Sequence, residues 1–204
     1  MRAGLVCCSV DYMQRVYGLL PEETYQLWSI MRARLSKVRA LDRVWLLVDK
    51  GSEEVFAGTP ELYTGDGDRE ERIRSFLRAH PDVSCYARMG LDMPLIDPEA
   101  VDEVVGVFVR QGAERVVPLG FPPGSVPDEV VSARACLESA GDPAALQPVS
   151  CIAPARLRRP ISLRLSLYPH SYPVLLRFLE MHPYLARLEL GDLYELFHAE
   201  KESV

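Results

Sequence analysis

Apolar and polar positions along this chain fall into blocks of two different periods. Gly4-Leu5-Val6-Cys7-Cys8-Ser9-Val10 is a short, nearly continuous apolar run, as expected of a strand buried on both faces. Asp11 to Gly18 is polar and reads as a turn. From Pro21-Glu22-Glu23 the spacing becomes helical, with Leu27, Ile30, Met31, Leu35 and Val38 sharing a face to about Leu41. Val44-Trp45-Leu46-Leu47-Val48 is a second buried strand. Two such strands joined by an amphipathic helix form a βαβ unit, hence a parallel pair with a right-handed crossover.

The alternation continues. Val55-Phe56-Ala57 reads as a short strand, and Gly65-Asp66-Gly67-Asp68 as a turn capping a charged helix, Arg69 to Ala79, with Ile73, Phe76 and Leu77 on one face. Val83 to Ala87 is the next strand. Helix Pro98 to Gln111 buries Val101, Val104, Val105 and Phe108, and Arg115 to Leu119 is again a strand. Gly120 to Pro127 is the strongest loop signal in the chain. Glu129 to Ser132 reads as a strand, Ala133 to Ser139 as a short helix with Leu137 inward, and Pro143 to Pro160 as mixed short helix and loop. Ile161 to Leu167 alternates like a half-exposed strand, Tyr172 to His182 is helical, and Leu190-Gly191-Asp192 caps a last helix to about Lys201. The class is α/β, in one domain spanning 1–204.

Between strand Val83–Ala87 and helix Pro98–Gln111 lies a turn built on Gly90, Asp92 and Pro94. Asp97-Pro98-Glu99 supplies the helix start, with Asp as N-cap, Pro at the first position and Glu in the first turn. Asp92 thus stands at the carboxyl end of a central strand, where open α/β sheets bind ligands. An ordinary turn residue is the competing reading.

Composition narrows the classes. A chain of 204 residues, 48% hydrophobic and 25% charged, can bury a full core. The net charge of −6 argues against a nucleic-acid backbone or an anionic membrane surface as partner. The 5 cysteines show no Cys-x-x-Cys pair, so buried, reduced thiols in a cytoplasmic protein are expected, without zinc. No segment reads as a signal peptide or a membrane span. His80, His170, His182 and His198 read as surface or loop-packing residues. Neither a Gly-x-x-x-x-Gly-Lys-Ser/Thr loop nor a Gly-x-Gly-x-x-Gly turn after the first strand is present.

Leu91-Asp92-Met93-Pro94-Leu95-Ile96-Asp97-Pro98, followed by Val101-Asp102, resembles the Gly-Asp-x-Pro-Leu-Ile-Asp-Pro segment of sugar-activating cytidylyltransferases. The nearest group is the spore-coat polysaccharide biosynthesis protein F type, with CMP-KDO and CMP-acylneuraminate synthetases as relatives. Pro122-Pro123-Gly124 with Glu129-Val130 and Ser132 is similar to that family's Tyr-Pro-Asp-Gly…Glu-Val-x-Ser stretch. Leu163 to Leu175 and Leu188 to Glu195 resemble its later elements, so the likeness spans nearly the whole chain. It implies a Rossmann-like, GT-A-like fold: a mostly parallel sheet with helices on both faces. It also implies transfer of CMP from CTP to a sugar acid for surface-polysaccharide synthesis, with Mg held by two aspartates. Asp92 would be the first metal ligand. Arg15, Arg88, Gly124 and Glu129, with His170, would line the site for CTP or a nucleotide-sugar. A homodimer formed through an insertion around residues 120–165 is the implied assembly.

The chain also departs from that pattern. The family's Arg- and Lys-containing loop after the first strand reads here Cys8-Ser9-Val10-Asp11-Tyr12-Met13-Gln14-Arg15, with Glu22 and Glu23 further on. Tyr168 and Tyr172 stand where the second aspartate and the next acidic residue are expected. Two readings therefore stay open: a divergent nucleotidyltransferase, and a catalytically inactive relative that serves as a binding or scaffold protein.

Overall fold

The structure, a computed structural model, describes residues 1–139, 144 and 146–157. Among these residues seven strands form one sheet in the order β3-β2-β1-β4-β6-β5-β7. They are β1 (Arg2–Cys8), β2 (Arg43–Asp49), β3 (Leu62–Gly65), β4 (Cys85–Gly90), β5 (Arg115–Leu119), β6 (Glu129–Ser132) and β7 (Val149–Ile152). β1 pairs in parallel with β2 and β4, β2 with β3, and β5 with β7; β6 runs antiparallel between β4 and β5. The mostly parallel sheet is as the sequence predicts.

Strand alternation divides the core into two layers. Val6, Cys8, Leu46, Val48, Ala87 and Met89 face α1 (Val10–Tyr17), α2 (Pro21–Leu35) and α4 (Pro98–Gln111). Ala3, Leu5, Cys7, Leu47, Tyr86 and Val131 face α3 (Arg69–Ala79) and α5 (Ala133–Glu138). Both faces of β1 are therefore covered, which is why its sequence is apolar without alternation. All 5 cysteines are buried and free.

Several expected elements differ from those observed. Asp11 to Gly18 is helical as α1, not a turn. Ser9 Oγ accepts the Tyr12 N–H, Val10 and Met13 are buried one turn apart, and Gly18 stops the helix at φ 70°. α2 ends at Leu35 rather than near Leu41, because Asp102 Oδ1 accepts the Arg39 and Ala40 N–H groups at 2.9 and 2.7 Å. The segment expected as strand Val55–Ala57 lies in and just after a one-turn 3₁₀ helix, Glu53–Phe56, with the Val55 N–H donating to the Ser52 carbonyl at 3.2 Å. β3 and β7, both edge strands, are not among the expected elements; Val149–Ile152 is a strand within the stretch whose sequence reads as mixed helix and loop. Leu137 on α5 is exposed rather than inward. The expected strand Ile161–Leu167, the later helices, and His170, Tyr168 and Tyr172 lie outside the described residues.

Among the described residues no helix is long and apolar enough to cross a membrane.

Candidate functional site

β1 leads through α1 and α2 to β2 on one side of it, whereas β4, its neighbour on the other side, is reached through α3 from β3. The chain thus reverses its direction of travel across the sheet between β1 and β4. A crevice opens at the carboxyl ends of the strands at such a reversal point. A pocket of about 380 Å³ occupies this place. Its walls come from the end of β1 (Cys7, Cys8, Ser9), the start of α1 (Tyr12, Met13), the start of α3 (Arg69, Arg72) and the end of β4 (Gly90, Leu91, Asp92).

Asp92 is held in a doubly pinned turn. The Leu91 N–H extends the ladder to the Cys7 carbonyl at 3.2 Å, and the Met93 N–H closes the turn on the Gly90 carbonyl at 3.2 Å. Downstream, the buried Arg34 donates from Nε to the Ile96 carbonyl at 2.7 Å, and the Asp97 N–H donates to the Ser125 carbonyl at 2.8 Å. Asp97 then caps α4 by accepting from the Glu99 and Ala100 N–H groups at 2.8 and 3.2 Å. Gly90 is needed for a steric reason: a Cβ there would collide with Oδ1 of Asp92, which folds back over it.

The Asp92 carboxylate is half-buried, and its Oδ2 accepts from the Tyr17 hydroxyl at 3.2 Å. Burial, and then the charge of Asp92, raise the Tyr17 phenol above its ordinary 10.0, so it remains a protonated donor at neutral pH. At the end of β2, Asp49 accepts from the Ser9 hydroxyl at 2.7 Å and from the Ser52 hydroxyl on its other oxygen. Cys7 is pushed up to about 12 by burial, against the opposing fields of Arg69 and Arg72. It is a thiol at neutral pH, which makes it a pocket wall and a poor nucleophile.

Of the residues singled out in the sequence, Asp92 lines this pocket. Arg15 lies exposed in the last turn of α1 and is not part of the lining. Gly124 sits at φ 79° in the loop between β5 and β6, whose Ser125 carbonyl meets the Asp97 N–H. Arg88 and Glu129 face each other across β4 and β6 within a chain of ion pairs. Arg88 reaches Glu70 at 2.7 Å and Glu129 at 3.1 Å, and Arg115 reaches the other Glu129 oxygen at 2.7 Å. With its side chain only 2% exposed, Glu129 has both oxygens turned to arginines of the fold. Asp128, 3.7 Å from both Arg69 and Arg88, is raised by burial; the two arginines oppose that rise and the nearby Asp92 charge adds to it.

The sequence reading missed Arg69 and Arg72. They followed a turn-and-cap signal and passed as the polar face of a helix. The available cue was their spacing, three residues apart in the first turns of α3, immediately after the carboxyl end of a strand. That strand, β3, was itself unrecognised.

Among the described residues no group of three or more His, Cys, Asp or Glu side chains is arranged to hold a metal ion. Asp92 is the carboxylate that the pocket offers. This donor set does not fit an ion caged by protein alone. It fits a Mg-like ion, which keeps several waters and binds through one or two carboxylates plus substrate phosphates.

No protein-family model matches the chain, and no curated protein matches it in sequence. Solved structures do match in fold. A Mycobacterium tuberculosis Rv0371c homologue from Mycobacterium sp. strain JC1 superimposes with a TM-score of 0.61 at 18% identity, over 92% of this chain and 98% of that one. A cytidylyltransferase from Leptospira borgpetersenii serovar Hardjo-bovis gives 0.58 at 15% identity, over 92% and 97%. Rv0371c from M. tuberculosis H37Rv in complex with manganese gives 0.51 at 12% identity, over 74% and 88%. The chain therefore has the α/β fold of these proteins: a mixed, mostly parallel sheet, of seven strands among the described residues, with helices on both faces.

Proposed function

We propose that this protein is a nucleotidyltransferase that takes CTP in the pocket between β1 and β4, with Asp92 as the ligand for a divalent cation. One observation carries the reading: Asp92, from the Leu91-to-Pro98 segment, stands at the sheet's reversal point and lines a pocket of about 380 Å³. The shared fold with a structure described as a cytidylyltransferase, and with one complexed with manganese, supports it.

In this reading an acceptor oxygen forms a bond to the α-phosphorus while the α–β bridge breaks, pyrophosphate leaves with the electron pair, and the acceptor's proton passes to solvent. A divalent cation, Mg in the first instance, supplies charge neutralisation on the triphosphate when bound. Asp92 would hold that cation. Gly90 keeps the Asp92 carboxylate in place, and Arg34 and Asp97 fix the far end of its loop. A sugar acid is the proposed acceptor, and a homodimer through residues 120–165 the proposed assembly.

A second reading, an inactive relative that retains the pocket for binding, draws on one observation. Tyr17 already donates to Asp92, in the position a cation would share. The deciding experiment is pyrophosphate release from CTP with Mg or Mn and a panel of sugar acids that includes KDO and sialic acid. Acceptor-dependent release supports the transferase. A flat trace across the panel, with nucleotide binding intact, leaves the binding protein.

A further inference from the structure

Arg72 is buried, 6% exposed, yet it lines the pocket. Its Nη1 donates to the Gly67 carbonyl at 3.0 Å, whereas its Nε, also buried, has no hydrogen-bond partner among the described residues. An unpaired buried donor is costly, more so on a charged group, so folded proteins rarely keep one without a use. The side chain is also held in place. Gly65 lacks the Cβ that would come within 3.2 Å of Arg72 Cγ, and the aliphatic stem lies in that space.

Arg69 stands one turn earlier and lines the same pocket. Its side chain is 45% exposed, and its ion pairs with Glu70 at 3.4 Å and Asp128 at 3.7 Å are loose enough to give way to a stronger partner. The first turn of α1, from which Ser9 and Tyr12 face the pocket, adds the positive end of its dipole. Two guanidinium groups against one carboxylate give this lining an excess of positive charge, although the whole chain carries −6.

We propose that Arg72 and Arg69 form a subsite for the pyrophosphoryl end of the nucleotide, with Arg72 as its fixed donor and Arg69 as its mobile one. The guanidinium fork matches adjacent phosphate oxygens bidentately, and a preformed buried fork loses little freedom on binding. The phosphate chain would then lie against α3, and Asp92 would meet it through the cation. This inference rests on the nucleotide reading of the pocket only for the rest of the ligand, since the anion site stands on Arg72 itself.

Titration calorimetry on the full chain tests it, using CTP, cytidine and inorganic pyrophosphate, each with Mg, on wild type, Arg72→Gln, Arg72→Lys and Arg69→Gln. Wild type should bind CTP and pyrophosphate at least tenfold tighter than cytidine. Arg72→Gln should weaken both phosphate ligands at least tenfold and leave cytidine unchanged, with Arg72→Lys between the two. Arg69→Gln, on a half-exposed side chain, should fold normally and weaken CTP several-fold, so a misfolded Arg72 variant does not remove the test. Unchanged CTP affinity in Arg69→Gln and in a folded Arg72→Gln overturns the subsite and leaves the nucleotidyltransferase reading standing. Pyrophosphate binding that depends on Arg72, without any CTP binding, supports the subsite and overturns that reading instead.

Discussion

The Tyr17 hydroxyl donates to Asp92 Oδ2 at 3.2 Å and so ties the last turn of α1 to the loop after β4. The contact fixes the carboxylate and at the same time competes for the lone pairs that a cation would use. Tyr17→Phe should therefore lower stability by about 1 kcal/mol and tighten cation-dependent CTP binding. Denaturant unfolding and calorimetry on the same variant measure the two effects. Weaker CTP binding would mean that the hydroxyl orients Asp92 for the cation.

Gly90→Ala tests the steric cradle beneath Asp92. The added Cβ meets Oδ1 of the carboxylate and must displace it. Cation-dependent CTP affinity should fall about tenfold, or about 1.4 kcal/mol, with an unfolding free energy within about 1 kcal/mol of wild type. Unchanged affinity would show that the carboxylate position is not what the pocket needs.

Glu129→Gln addresses the ion pairs beside the pocket. Glu129 neutralises Arg88 and Arg115 in a nearly solvent-free setting. Removing one partner of a buried pair leaves uncompensated charge, so stability should fall by about 3 kcal/mol. A denaturant midpoint close to that of wild type would contradict this structural role.

Alkaline pH should destabilise the protein. Burial holds Cys7 up to about 12 and Cys151 up to about 11, against an ordinary 9.0. Because the native pKa exceeds the unfolded one, this stability is fully present below about pH 9 and is lost as pH rises through the native values. Tyr17 and Tyr86, both raised mainly by burial, act with the same sign above about pH 10. Unfolding free energy should drop between about pH 9 and 11, by up to about 1.4 kcal/mol per pH unit for each thiol, and Cys7→Ala should flatten the slope. A flat profile in wild type would rule the account out.

Much of the frame is legible in the sequence, because it depends on local rules. Asp97-Pro98 marks the start of α4 and Asp68 that of α3, since capping chemistry acts over a few residues. β1 and β2 are apolar because helices cover both of their faces. α1 was missed although Ser9 and Gly18 carry its start and stop, because polar residues between them hide the buried pair Val10 and Met13. β3 and β7 are short edge strands with weak alternation, which only their pairing partners define. Asp92 could be found from its segment. For Arg72 the local pattern offers only its spacing from Arg69. Its value lies in an Nε without a partner among the described residues and in the crossing that brings α3 to the end of β1. Neither of these leaves a mark on the local pattern.

The central claim is that Asp92, at the reversal point of the sheet, binds a divalent cation carried by CTP. Calorimetric titration of CTP into wild type and Asp92→Asn, with Mn or Mg and then with EDTA, addresses it most directly. The account predicts binding in the micromolar range that requires the cation and falls at least tenfold in Asp92→Asn. Equal binding in the two proteins, or binding indifferent to EDTA, would contradict it.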